Sequence, residues 1–166
     1  MRIFIGKYPK GAGDRKVKIE INSSDVYNAH STLSLIIQPL LEKFREELHG
    51  APYVDNEDVP EELKSDLSKE DYTSGIVDEN HFKRWDYVLD EMIYSFKCDN
   101  DPNWEDQFWS GKSDLKWELL EGGKLYEMKH GPNHTLTRDE DAFKAAWKRR
   151  SNGLRLFGKY YHHLWD

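Results

Sequence analysis

His81-Phe82-Lys83-Arg84-Trp85-Asp86-Tyr87-Val88-Leu89-Asp90-Glu91-Met92-Ile93-Tyr94-Ser95-Phe96 is the stretch around which the rest of the chain is read. Phe82, Trp85, Leu89, Met92, Ile93 and Phe96 recur at helical spacing, so this segment reads as a helix with one apolar stripe. It starts near Asp78, a suitable N-cap, and runs to about Phe96. Asp86 falls inside the stripe, between Phe82 and Ile93, and Asp90 flanks it one turn on. A carboxylate aimed at a core needs a cation, hydrogen bonds, a metal or a proton. The first question is therefore what Asp86 meets.

Upstream, residues 2–8 and 15–21 read as two strands joined through Pro9-Lys10-Gly11-Ala12-Gly13-Asp14, a β-hairpin with Val17, Ile19 and Ile21 on one face. A helix is expected from Ser24 or Asp25 to Leu48, kinked at Pro39, whose missing N–H frees the carbonyl of Leu35. His30 lies on the edge of its apolar side. Residues 50–77 read as a long acidic loop with at most one helical turn around Glu61–Leu67, because Pro52, Pro60 and Asp55-Asn56-Glu57-Asp58 break any period. Asp55 and Asp58 offer oxygen ligands for a divalent cation, though without calcium-loop spacing.

Downstream, Asp101-Pro102-Asn103-Trp104 opens a short helix in which Trp104 and Phe108 are four apart. Leu115–Glu121 and Lys124–Lys129 flank Gly122-Gly123, a two-residue hairpin turn. That register sets Leu120 opposite Leu125, Leu119 opposite Tyr126 and Trp117 opposite Met128, giving an aromatic face expected to pack on the helices. Thr137 and Glu140 form a capping-box pattern ahead of a last helix running to about Trp165, with Arg150 inside its apolar stripe. Gly153 and Gly158 imply either close helix approach or a break near Ser151–Gly153. The expected fold class is α+β: three main helices, one Pro-kinked, packed with an antiparallel sheet built from two β-hairpins.

At 166 residues the chain reads as a single domain, 1–166, and its 22 aromatic residues promise a ring-rich core. No window approaches a membrane span, and Met1 leads straight into strand-like residues, so a cytoplasmic protein is expected. The single cysteine, Cys98, excludes an internal disulfide and a multi-cysteine metal site. The net charge of −7 is unevenly spread: residues 46–121 carry 7 basic and 22 acidic groups, and residues 1–45 and 122–166 are each +4. This argues against general nucleic-acid binding and permits an acidic face that meets a basic partner or imitates nucleic acid.

Two helices each place one charge on an apolar face, Asp86 and Arg150. The structural expectation is that they form a buried bidentate pair. The functional expectation is a pocket in which Asp86, Asp90, Arg150 and His30 line the walls. There Arg149, Arg150 and Arg155 would hold a phosphate or carboxylate and Trp85 or Trp147 would stack on a ring. A metal-dependent hydrolase or nuclease would use Asp86, Asp90 and His30 or His81. His130 and His134 flank a turn and His162 and His163 point apart, so neither pair reads as a metal site. No phosphate loop, nucleophile elbow, HExxH or paired CxxC is present, which favours binding over catalysis and implies no cofactor.

The stretches Asn28–Ile37 with Pro39, Val54–Pro60, Arg84–Phe96 and Asn152–Asp166 resemble a family of small accessory proteins encoded by tailed bacteriophages. The resemblance spans most of the chain and is most recognisable at Trp85, Asp86, Asp90, Glu91 and Met92, but it brings no site residue to carry over. It implies expression in the infected bacterial cytoplasm and an accessory role. The expected function is accordingly a binder that antagonises host defence or regulation. Its ligand would be a nucleotide-type small molecule or a host protein, with the metal-dependent hydrolase and the acidic nucleic-acid mimic as alternatives.

Overall fold

The computed structural model describes residues 1–11 and 13–165. In chain order the elements are β1 (Arg2–Ile5), β2 (Val17–Glu20), α1 (Ser23–Tyr27), α2 (Ala29–Glu47), α3 (Lys69–Thr73), α4 (His81–Asn100), β3 (Trp109–Ser110), β4 (Leu115–Leu119), β5 (Tyr126–His130), β6 (Thr137–Arg138) and α5 (Glu140–Tyr160). The protein is thus mixed helix and strand, with α4 packed between α2 and α5. The main core gathers on α4, where Trp85, Val88, Leu89 and Met92 are fully buried and meet Leu41 of α2 and Leu156 of α5.

Because α4 is covered from several directions, its buried arc is wider than the apolar letters suggest. Arg84, Glu91 and Ser95 are buried, whereas Phe82 and Asp90 are exposed and Asp86 is half-buried. The line Phe82–Asp86–Asp90 is therefore the outward side of the helix, at i, i+4 and i+8. The charges that enter the interior are Arg84 and Glu91, which a count of apolar residues passes over.

The expected helix over residues 24–48 is two helices. Asn22 and Asp25 form a reciprocal capping box at α1, the Asp25 carboxylate also accepts from the Met1 ammonium at 2.8 Å, and the chain leaves helical geometry at Asn28 before α2. α2 then continues through Pro39, whose missing N–H removes one hydrogen bond of the ladder. Residues 50–77 also depart from expectation. Short 3-10 turns at Asn56–Asp58 and Glu61–Leu63 and the five-residue α3 fold the segment against the body, with Val54, Asp58 and Val59 buried. Asn56 closes it by donating to the Ser65 carbonyl at 2.7 Å and accepting from the Ser65 N–H at 2.8 Å.

α5 starts later than Thr137. Its cap is Asp139, which accepts from the Ala142 N–H at 3.0 Å, while Thr137 and Arg138 pair with Ser110 and Trp109 as a strand. It passes Gly153 without a break because that glycine is where α5 touches α4. A Cβ there would lie 2.8 Å from the Glu91 carbonyl carbon and would overlap the Ser95 hydroxyl. Ser95 Oγ, 2.7 Å from the Arg150 carbonyl, ties the two helices at the same level.

The two hairpins do not share a sheet: β1–β2, β3–β6 and β4–β5 are three separate antiparallel ribbons. The register of β4–β5 is as expected, with Trp117 opposite Met128, Leu119 opposite Tyr126, and the Leu120 N–H donating to the Leu125 carbonyl at 2.9 Å. The packing of its aromatic face on the helices is a failed expectation, since every residue of both strands is exposed. No described helix is long and apolar enough to cross a membrane.

Candidate functional site

The expected pair of Asp86 and Arg150 does not form. Arg150 pairs instead with Asp99, whose carboxylate is almost fully buried and also accepts from Ser34 Oγ at 3.0 Å. Asp99 is 13 residues beyond Asp86 on α4, about 20 Å along a helix axis. Asp86 has no ion pair or hydrogen bond among the described residues. Asp90 is exposed and accepts from Arg45 of α2 at 2.9 Å. His30 is at the start of α2 with its ring on Ser31 at 3.2 Å. Because α2 meets α4 with Ser34 beside Asp99 and Arg45 beside Asp90, His30 lies at the Asp99 end, so Asp86, Asp90 and His30 do not converge. Trp85 is wholly buried, edge-on to Tyr160 at 5.7 Å, and is closed to any ligand.

Of the expected site residues, the structure gathers Arg149, Arg150 and Trp147. Arg149 grips Glu91 through Nε at 2.9 Å and lies over Tyr94, 3.9 Å from the ring centre. Its hydrogen bond to Glu91 raises its pKa above the usual arginine value. The Arg150 guanidinium carbon is 4.7 Å from the Trp147 ring centre and 5.4 Å from that of Trp104, and its Nε is buried without a partner. Under these charges is a second small core of Cys98, Trp104 and Phe108, packed against Tyr94, Phe143 and Ala146. Burial pushes the Cys98 thiol and the Tyr94 phenol up from their ordinary values.

Trp147 leaves this stack at the surface, 45% exposed, and forms one wall of a groove of about 380 Å³. Glu105, Arg138, Phe143, Lys144 and Lys148 complete the lining. The helix places them there by spacing: residues 143, 144, 147 and 148 share one face of α5. Arg138 is held by Glu140 at 2.8 and 3.0 Å and lies over the Phe143 ring at 4.2 Å, so it is a fixed cation at the rim. Lys144 and Lys148 form no salt bridge among the described residues. The groove therefore offers an exposed indole, two ammonium groups without a salt bridge and a fixed guanidinium, with the Glu105 carboxylate in the same lining. Glu105, Arg138, Lys144 and Lys148 were outside the expected site. The spacing of Trp147 between Lys144 and Lys148 was the available signal.

The acidic residues 55–58 reach a different end. Asp55, Glu57 and Asp58 have oxygens within 4.8 Å of one another, but the ammonium of Lys159 lies among them at 2.7, 2.9 and 2.6 Å. Arg155 adds a hydrogen bond to Asp58 at 2.6 Å, and Tyr160 donates to it at 2.7 Å. Burial works against the Asp58 charge, yet Lys159, Tyr160 and Arg155 outweigh it and hold the carboxyl below its ordinary value. Burial likewise disfavours the Lys159 charge, and the hydrogen bonds to Asp55, Asp58 and Glu57 overcome this and raise its pKa. The place a divalent cation would take is filled by the protein's own cation, so the cluster is a clamp between residues 55–58 and α5.

No protein-family model, curated protein or solved structure matches the chain, so the site is read from its own geometry.

Proposed function

We propose that the protein acts by binding an anionic, ring-bearing small molecule of nucleotide type in the groove along the first half of α5. The observation that carries this reading is the half-exposed Trp147 flanked by Lys144 and Lys148. An indole face stacks on a base with about 1–3 kcal/mol of stabilisation by alanine substitution, and ammonium groups one turn apart meet a phosphate as point charges. The groove volume of about 380 Å³ is at the lower end of ligand sites, which suits one base with a short phosphate chain. Arg150, fixed behind Trp147 by Asp99, holds the indole in place rather than reaching the ligand. In the setting that the resemblance to tailed-phage proteins implies, such a binder would serve as an accessory protein that sequesters a nucleotide signal of the host.

The test is titration of intrinsic tryptophan fluorescence and isothermal calorimetry with AMP, ATP and inorganic phosphate. AMP or ATP is expected to quench the Trp147 contribution. Trp147→Ala should lower affinity by about tenfold or more, and Lys144→Ala with Lys148→Ala should lower it and flatten its salt dependence. Absence of binding by both nucleotides at millimolar concentration, or equal binding by Trp147→Ala, would refute the reading.

A further inference from the structure

Strand β2, Val17-Lys18-Ile19-Glu20, followed by Ile21, is paired on one edge only, with β1, and among the described residues nothing pairs with its other edge. The ribbon has little else to hold it. Across residues 1–40 the only buried described residue is Ser34, while twelve large apolar side chains of that segment are exposed. A lone two-stranded ribbon is marginal in water, and three or more strands with an apolar face are needed for independent stability.

The register shows which backbone groups are free. Gly6 N–H donates to the Lys16 carbonyl at 2.8 Å, and Phe4 is opposite Lys18 and Arg2 opposite Glu20. In an antiparallel ladder, hydrogen-bonded and non-hydrogen-bonded pairs alternate. Residues 16, 18 and 20 therefore turn their N–H and C=O toward β1, and residues 17, 19 and 21 turn theirs outward. The same alternation puts Val17, Ile19 and Ile21, with Ile3 and Ile5, on a wholly aliphatic face. Lys18 and Glu20 lie on the other face with Arg2.

We infer that the free edge of β2 pairs antiparallel with the β2 of a second copy of this chain, about a twofold axis at Ile19. This would make a four-stranded sheet across a homodimer. The occupant follows from self-complementarity. With the axis at Ile19, Val17 is opposite the partner's Ile21 and Ile19 opposite the partner's Ile19. All three pairs fall on residues whose backbone groups point outward, so each exchanges both N–H···O bonds. On the other face Lys18 is opposite the partner's Glu20, twice by symmetry, and opposite charges across a strand pair are stabilising. Moving the axis by one residue would set Lys18 against Lys18 or Glu20 against Glu20. Isologous twofold contacts are the commonest way soluble chains associate. The exposed Ile3, Ile5, Val17, Ile19 and Ile21 supply one continuous aliphatic face to such a sheet.

The experiment is sedimentation equilibrium of the full chain, with circular dichroism to confirm that the helices are intact. Wild type is expected to be dimeric at about 100 µM. Lys18→Glu and Glu20→Lys each set like charges opposite, and each should weaken self-association at least about tenfold. Mixed in equal amounts, the two variants restore opposite pairs in a heterodimer, which should form again. Ile19→Pro deletes an outward N–H that the β1–β2 ladder does not use, and it should leave a folded monomer. A wild type that stays monomeric, a single charge variant that stays dimeric, or a mixture that does not reassociate would each overturn the inference.

Discussion

Two glycines of the same helix make the packing of α5 testable with one kind of substitution and two opposite results. At Gly153 a methyl group would overlap the Glu91 carbonyl oxygen and Ser95 Oγ, and would come 2.8 Å from the Glu91 carbonyl carbon, about 0.7 Å inside the ~3.5 Å optimum for carbon atoms. The hydroxyl can rotate away, but the carbonyl belongs to the α4 backbone and moves only with that helix. Overpacking of this kind costs about 1–3 kcal/mol, with backbone displacement at the upper end. Alanine returns about 1 kcal/mol of helix propensity. Gly153→Ala is therefore expected to destabilise by about 2 kcal/mol net, a fall of about 4–8 °C in Tm for a chain of this size. At Gly158 nothing lies within 4 Å of the added Cβ, so only the propensity gain remains and Gly158→Ala should raise Tm by a few degrees. Thermal unfolding followed at 222 nm, with urea denaturation as a check, reads both. Equal effects at the two sites would refute the close approach of α4 and α5. So would full rescue of Gly153→Ala by Ser95→Ala, because the Glu91 carbonyl would then not be limiting.

Removing Asp99 strands the Arg150 guanidinium against Trp104 and Trp147, so Asp99→Ala should cost about 3 kcal/mol, whereas Asp86→Ala should stay within about 0.5 kcal/mol. A reversed order in urea denaturation would restore Asp86 as the interior carboxylate. Stability should also fall with pH in two windows. Burial pushes His81 below its ordinary 6.5, so the folded state binds fewer protons than the unfolded state and stability declines as pH drops through 6.5. Asp58 is held below 3.8, so its contribution is present above that value and is lost as pH falls through the lower folded pKa. His81→Gln should flatten the first window and leave the second, and a Tm profile unchanged by the substitution would contradict the buried neutral imidazole. Cys98 is buried with its thiol pushed up, so it should react with a thiol reagent only at the rate of unfolding. Rapid stoichiometric labelling of the native protein would contradict this.

Local pattern was legible in the sequence where one chemical signal decides one feature. Gly122-Gly123 fixed the β4–β5 register because a two-residue turn leaves no freedom in the pairing. The α4 helix followed from spacing alone. What spacing could not give was which side of α4 is inside. Phe82 counts as core by its letter, yet it is exposed, and Arg84 and Glu91 count as surface, yet they are buried because Asp78 and Arg149 neutralise them. The same blindness misplaced Asp86. Segment 50–77 was misread for a related reason, since Asp55, Glu57 and Asp58 resemble a solvated loop until their cations, supplied from α5, are known. Trp147 and Arg150 do stack together, but the groove beside them takes in Arg138 and Glu105, which reach it only through the β3–β6 pairing and the turn after α4.

The charge map acquires a different meaning from these contacts. Read along the chain, an acidic middle between two basic ends suggests a surface for a basic partner. In the fold, Asp58 is matched to Arg155 and Lys159, Glu91 to Arg149 and Asp99 to Arg150, all of them cations of α5. These pairs are the two halves of internal clamps, separated in sequence and joined in space. Such pairs hold register more than they add stability, because each buried ion is also desolvated. Once they are set aside, two cations of the same helix stand without a salt bridge among the described residues. Lys144 and Lys148 are beside Trp147 at the groove, whereas on the β1–β2 ribbon Lys18 pairs with Glu20 of its own strand at 2.8 Å. At the groove, then, cations that no internal clamp uses stand beside an exposed indole.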